Sequence, residues 1–256
     1  MSRNFDILQK LQADAGMFGS AVPPASERSR SKGRTNGRSN SNSRDHFTGA
    51  RDEIMKLVQR VFILPGAAKA PGIVGFCSVN RGSGCSWVCA RTGETLAEQE
   101  NGSVCLVDAN LRSPSLHDYF RLENGEGFAE AIRGSQPMRE FARRASGSNL
   151  WLITAGSVGR EPNGALHPAR LKARFAELRG EFDYVLIDTP ATDAYPDAVL
   201  LGQLTDGVVL VVDSHSTRRE PARIAKESFE AARIPVLGAV LNKRTFPIPE
   251  PLYRKL

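Results

Sequence analysis

What the chain lacks narrows its class first. No apolar run approaches the ~20 residues that a membrane-crossing helix needs, so no transmembrane segment is expected. The opening residues, MSRNFDILQK, have no apolar core of the kind a secretory signal carries. Four cysteines among 256 residues, with no C-x-x-C pair, exclude a disulfide scaffold and fit a reducing cytoplasm. A folded basic face is missing too. The formal charge is +6, but residues 20–45 hold Arg28, Arg30, Lys32, Arg34, Arg38 and Arg44 against Glu27 and Asp45, a net of +4. The basic character belongs to one segment, so nucleic acid is not an expected partner.

What is present divides into three pieces. Residues 1–17 read as a short amphipathic helix, with Ser2 as cap and Phe5, Leu8 and Leu11 at three-residue spacing. Such a helix is marginal alone and is expected to dock on its own domain or on a partner. Residues 18–49 read as a disordered basic linker. Apolar residues almost vanish after Ala25, so the stretch cannot bury enough surface to offset its ordering entropy. An electrostatic tether to an anionic surface is the functional alternative there.

Residues 50–256 have the texture of a folded domain. A helix is predicted over 52–62, with Ile54, Leu57, Val58 and Val61 on one face. Apolar runs at 72–79, 103–108, 149–155, 183–188, 207–213 and 236–242 read as buried strands. Helical stretches at 86–99, 164–180 and 217–232 fall between them. Strands that do not alternate polar with apolar, separated by helices, predict an α/β fold: a mostly parallel sheet covered on both faces.

The first strand ends in Ser78-Val79-Asn80-Arg81-Gly82-Ser83-Gly84-Cys85-Ser86-Trp87, and a helix follows. Strand, Gly-rich turn and helix is the setting of a phosphate-binding loop. Glycines let backbone N–H groups approach phosphate oxygens, and the helix N-terminus adds positive potential. A Walker A loop ends Gly-Lys-Ser/Thr, whereas here Cys85 stands at the lysine position. By itself this motif is equally compatible with a tight Gly-rich turn. Two further strands end in acids, Asp108 and Asp188, at the sheet end where α/β proteins bind ligands. A third ends in Asn242-Lys243, placed to flank a base. The pair resembles the guanine-reading Asn-Lys-x-Asp, but residue 245 is threonine, which favours ATP over GTP.

With these segments in view, VCLVDANLRSPSLH resembles the Walker A′ segment of bacterial tyrosine kinases (BY-kinases) of the capsule and exopolysaccharide type. YVLIDTP is similar to their Walker B segment, and VLGAVLNKR to their last core strand. Over roughly residues 50–245 the chain is identified as a member of the Mrp/MinD branch of P-loop NTPases. The resemblance implies ATP and Mg²⁺ as cofactors, ring-shaped homo-oligomers, and a membrane polysaccharide co-polymerase as partner on its cytoplasmic face. It also implies autophosphorylation of a C-terminal tyrosine cluster. Arg81, Gly82, Ser83, Gly84, Cys85, Ser86 and Trp87, with Asn242, become the candidate nucleotide-binding residues. Ser86, Asp108 and Asp188 become the candidate Mg²⁺ set, with Asp108 and Asp188 also the candidate catalytic acids.

The departures from that pattern set the functional expectation. Cys85 replaces the phosphate lysine, and Asn110 replaces the second Walker A′ acid. The ring-forming Glu-x-x-Arg-x-x-Arg reads Glu53-x-x-Lys56-x-x-Gln59, and the tail PIPEPLYRKL holds one tyrosine, Tyr253. Losing one preorganised donor of this kind costs roughly 3–4 kcal/mol of transition-state stabilisation. Arg81, at the loop apex, is a candidate to fold back over the phosphates. The cysteine admits two readings: a thiolate favoured by the helix N-terminus, or a neutral thiol covered by Trp87 and the loop. The four cysteines read as small core residues rather than a metal site. The leading expectation is a cytoplasmic P-loop subunit of exopolysaccharide or capsule biosynthesis, able to sit peripherally at the inner membrane. It would regulate a co-polymerase, bind ATP weakly if at all, and transfer phosphate feebly. An active tyrosine autokinase and a ParA/MinD-like positioning ATPase are the alternatives.

Overall fold

An apolar run that faces a helix on each side must sort its residues alternately, and the strands do so. In the computed structural model, the residues described are 41–64, 70–146, 149–157, 166–193 and 195–244. Seven strands form one sheet: β1 (Ile73–Ser78), β2 (Val104–Asp108), β3 (Arg143–Ser146), β4 (Leu150–Ile153), β5 (Tyr184–Asp188), β6 (Gly207–Asp213) and β7 (Val236–Asn242). Their spatial order is β3-β4-β2-β5-β1-β6-β7, and every neighbouring pair except β3–β4 is parallel. The predicted α/β architecture is therefore the observed one.

Two helices cover one face. They are α1 (Ser41–Val58), continued by a wider π-turn over Gln59–Ile63, and α2 (Cys85–Gln99). Val74 and Phe76 of β1, Leu106 of β2 and Leu186 of β5 pack there with Ile54, Leu57, Val88 and Leu96. The intervening residues Ile73, Cys105, Val107, Val185 and Ile187 point the other way, under α4 (Phe128–Arg133) and α5 (Pro168–Glu181). The same face continues over β6, where Val208 and Leu210 meet α6 (Asp197–Gly202) and α7 (Arg219–Ala231). Burying these strands on both sides explains why their sequences never alternate. Gly93 marks a close helix–sheet approach: a Cβ there would lie 2.7 Å from Leu106 Cδ2, so a larger residue would force Leu106 or α2 to shift.

Some elements are not legible as periodic segments. Helix α3 (Leu116–Phe120), α4 and α6 span only five or six residues each, too short for a helical period to declare itself. Strand β3 reads RRAS and has no apolar pattern. It is an antiparallel edge strand whose Arg144 lies 5.1 Å from the Trp151 ring centroid of β4, and Arg139, in the turn before it, lies 3.9 Å from the same ring. Charged residues on an edge strand also discourage pairing with another chain.

The boundary expected at residue 50 needs correction. Helix α1 begins at Ser41, so residues 41–49, which read as linker, are helical backbone. Ala50, Ile54, Leu57 and Val58 are buried along this helix, and extending a helix already formed costs far less than starting one. The amphipathic segment 1–17, the linker up to residue 40 and the tail with Tyr253 lie outside the described residues. Among the described residues no helix is long and apolar enough to cross a membrane.

Candidate functional site

β1 ends at Ser78, and the chain turns through residues 79–84 into α2. Gly82 and Gly84 both take left-handed backbone angles, φ 79° and 81°, which a side chain would resist. Gly84 is also the N-cap of α2. The Ser83 hydroxyl donates to the Asn80 carbonyl at 2.7 Å and closes the turn. The result is a curled loop leading into a helix whose first N–H groups have no intrahelical partner. That is a cradle for an anion.

The acids reach this loop by strand periodicity. Val104, Leu106 and Asp108 of β2 share the face on which α2 lies, as do Leu186 and Asp188 of β5. Asp108 and Asp188 are direct register partners in the parallel pair β2–β5. Both side chains are fully buried.

Their surroundings differ. Asp108 accepts N–H bonds from Asn110 at 3.2 Å, Ser115 at 3.0 Å and Leu116 at 3.0 Å. Burial pushes its carboxyl up to about 6, against the lowering effect of these three amides and of His117. Asp188 is reached by the Ser86 hydroxyl, which donates to Oδ2 at 2.5 Å. Its other oxygen, Oδ1, is buried with no hydrogen-bond partner. Burial, and then the neighbouring Asp108, hold Asp188 well above the usual carboxylate range, although Ser86 and Cys85 pull it down. A buried, half-satisfied carboxylate beside a serine on a phosphate loop fits a divalent cation. Ser86 and Asp188 are the residues that would hold Mg²⁺. Asp108 instead spends both oxygens on the turn that follows β2.

Above the acids lies a cleft of about 340 Å³. Its walls are the loop from Arg81 to Trp87, Asn110 and Arg112 after β2, Tyr119 of α3, and Tyr195 and Lys243. All seven loop residues that the sequence singles out therefore meet in one place. Asn242 does not line the cleft. Its side-chain amide is buried behind the loop and donates to the Ser83 carbonyl at 2.8 Å. Lys243, its neighbour, does line the cleft. Only the pairing of β7 with β6 brings these residues to the loop.

Cys85 follows the covered reading. The residue is buried, and its thiol is pushed well above the ordinary value, first by burial and then by Asp188, Cys77 and Cys89. This direction favours the neutral thiol of the two readings. All four cysteines are buried and unbonded to one another. Of the ring-motif residues, Lys56 donates to Glu53 one turn away at 2.7 Å, an intrahelical ion pair.

Known proteins give this arrangement its lineage. Residues 72–228 match the family model of the cellulose biosynthesis protein BcsQ. The tyrosine-protein kinase YwqD of Bacillus subtilis (strain 168) is 33% identical over 161 residues, covering 63% of this chain and 68% of that protein. Among solved structures, the kinase domain of the Escherichia coli tyrosine kinase ETK superposes with a TM-score of 0.71 at 20% identity, covering 92% of this chain and 95% of that one. The septum site-determining protein MinD of Pyrococcus horikoshii OT3, solved with Mg-ADP, gives a TM-score of 0.58 at 20% identity over 72% of this chain and 76% of its own. The structural likenesses speak for the fold alone. Matched by one family model over more than half of its length, and by a kinase one-third identical to it, the chain belongs to the BcsQ/MinD-like P-loop family and is a homologue of the bacterial tyrosine-protein kinases.

Proposed function

We propose that this chain is a nucleotide-responsive P-loop subunit of bacterial exopolysaccharide or capsule biosynthesis, acting on the cytoplasmic face of a membrane polysaccharide co-polymerase, with little or no phosphotransfer. The observation that carries the reading is the contrast within the loop. Ser86 donates to Asp188, the pair that would hold Mg²⁺, while the position of the phosphate lysine holds a buried cysteine. Phosphoryl transfer depends on positioning and on charge stabilisation at the γ-phosphate. A site that keeps the metal pair and lacks the cation favours binding over chemistry. The family description, a cellulose biosynthesis protein, and the resemblance to capsule and exopolysaccharide kinases support the polysaccharide setting. Homo-oligomers and a peripheral position at the inner membrane belong to the same proposal.

The test is calorimetric titration of the full chain with ATP·Mg²⁺, together with steady-state hydrolysis. Measurable binding with hydrolysis near background is the expected outcome. Turnover at kinase-like rates, on the order of 1 s⁻¹ or faster, would overturn the low-activity reading. The kinase names of the relatives favour a second reading, an active tyrosine autokinase. Phosphotyrosine on protein purified from its own host, read by mass spectrometry, would select it.

A further inference from the structure

We propose that Lys243 supplies the positive charge that position 85 lacks, making the end of β7 part of the polyphosphate-binding surface for a nucleoside triphosphate. The proposal rests on the nucleotide reading of this cleft and names the residue that makes it workable. A triphosphate seated in the loop brings several negative charges into the cleft, where an uncompensated charge is costly. The cleft wall offers three cations: Arg81, Arg112 and Lys243. Arg112 and Lys243 are both ion-paired to a carboxylate, and what sets Lys243 apart is its bond to the loop. The Arg112 Nε donates to Asp197 at 3.0 Å, and its guanidinium lies 3.5 Å from the Tyr195 ring centroid. Arg81 is exposed at the loop apex.

Lys243 touches the loop itself. Its Nζ donates to the Gly82 carbonyl at 2.5 Å and to Asp213 Oδ2 at 3.0 Å. Its backbone is left-handed, φ 58°, an uncommon state for a residue other than glycine. That conformation turns the chain at the end of β7 while Asn242 fastens the same end to Ser83. Asp213 Oδ1 accepts from the His215 and Ser216 amides at 2.9 and 3.2 Å, so Lys243 serves only Oδ2, and an ammonium with three donors can keep that bond while it meets a phosphate oxygen. The ammonium is a point charge on a flexible four-carbon stem, and its side chain is about one-third exposed. Moving it from the Gly82 carbonyl to a phosphate oxygen in the same loop is a side-chain rotation within the cleft it already lines.

The experiment is a titration of ATP·Mg²⁺ into the full chain and into Lys243→Gln, Lys243→Arg, Arg81→Ala, Cys85→Lys and the double variant Cys85→Lys/Lys243→Gln. Glutamine keeps an N–H donor on a shorter stem and removes the charge, and a thermal melt checks that each variant is folded. Lys243→Gln should weaken binding about tenfold or more, the scale of a lost charge-assisted contact. Lys243→Arg should stay within about threefold of the parent, and Arg81→Ala should cost less than Lys243→Gln. With a lysine restored at position 85, removing Lys243 should cost less than it does in the parent, since the two charges serve one role. Equal affinity of the parent and a folded Lys243→Gln overturns this proposal and leaves the nucleotide site standing. Binding by Cys85→Lys but not by the parent does the same. No binding by either overturns both.

Discussion

Asp108 and Asp188 end neighbouring parallel strands, face each other in register and are equally buried, yet they do different work. The chain after β2 wraps back over Asp108, and three backbone amides from residues 110–116 close on it. The chain after β5 leaves at once: the Thr189 amide donates to the Phe76 carbonyl of β1, and Asp188 keeps one oxygen without a partner. An acid at a strand end becomes a fastening or keeps an unpaired oxygen according to where the next few residues travel. The sequence motifs mark both positions alike, and the following turns separate them.

The largest expected effect is on stability, and it divides the two acids. Asp108→Ala strands three donors, the Leu116 amide buried and those of Asn110 and Ser115 half-buried, so a loss of about 3 kcal/mol at most is expected. For a domain of this size that is a fall of roughly 6–12 °C in Tm. Asp188→Ala removes a half-satisfied buried carboxylate and should cost about 1 kcal/mol or less while abolishing Mg²⁺-dependent nucleotide binding. Equal melting losses would break the comparison. A smaller effect tests the serine. Ser86→Ala leaves both Asp188 oxygens without that hydroxyl, so a loss of about 1 kcal/mol in a denaturant titration is expected, together with weaker Mg²⁺ dependence of any nucleotide binding. If Ser86→Ala leaves the metal dependence untouched, Asp188 is not paired with it as a cation site.

The smallest effect is a rate that should not rise. Burial and the nearby Asp188 raise the Cys85 thiol, so its thiolate is scarce at neutral pH and grows only above the ordinary cysteine range near pH 9. Iodoacetamide labelling read by peptide mass spectrometry should find Cys85 at pH 7 no faster than Cys77 or Cys105, both also raised by burial. Rapid labelling of Cys85 at neutral pH would mean that the loop opens or that the helix N-terminus prevails after all.

Much of the site is legible in the amino-acid sequence. Strand periodicity and motif order mark the Gly-rich turn after the first apolar run, the two acids closing later runs and the serine one residue past Cys85, and the fold gathers them. Asn242 reads as a base contact because it ends a strand in the right position. In the structure its side-chain amide donates to the Ser83 carbonyl. Arg112, Tyr119 and Tyr195 carry no such mark as wall residues, since nothing in their local pattern tells that loops after different strands converge.

By itself the sequence determined the alternation of strands and helices, the placing of loop and acids at one end of the sheet, and the absence of a cation at position 85. These follow from burial and backbone geometry within a few residues of each position. Tertiary structure alone decided which carboxylate oxygen is left unpaired, that Cys85 is covered and that Lys243 reaches Gly82 across 161 positions of sequence. The reason is physical. Strand order sets which chain ends meet, and the order β1-β6-β7 carries the last strand back to the first loop. A charge acts through distance in space, and no local pattern in the chain records that distance.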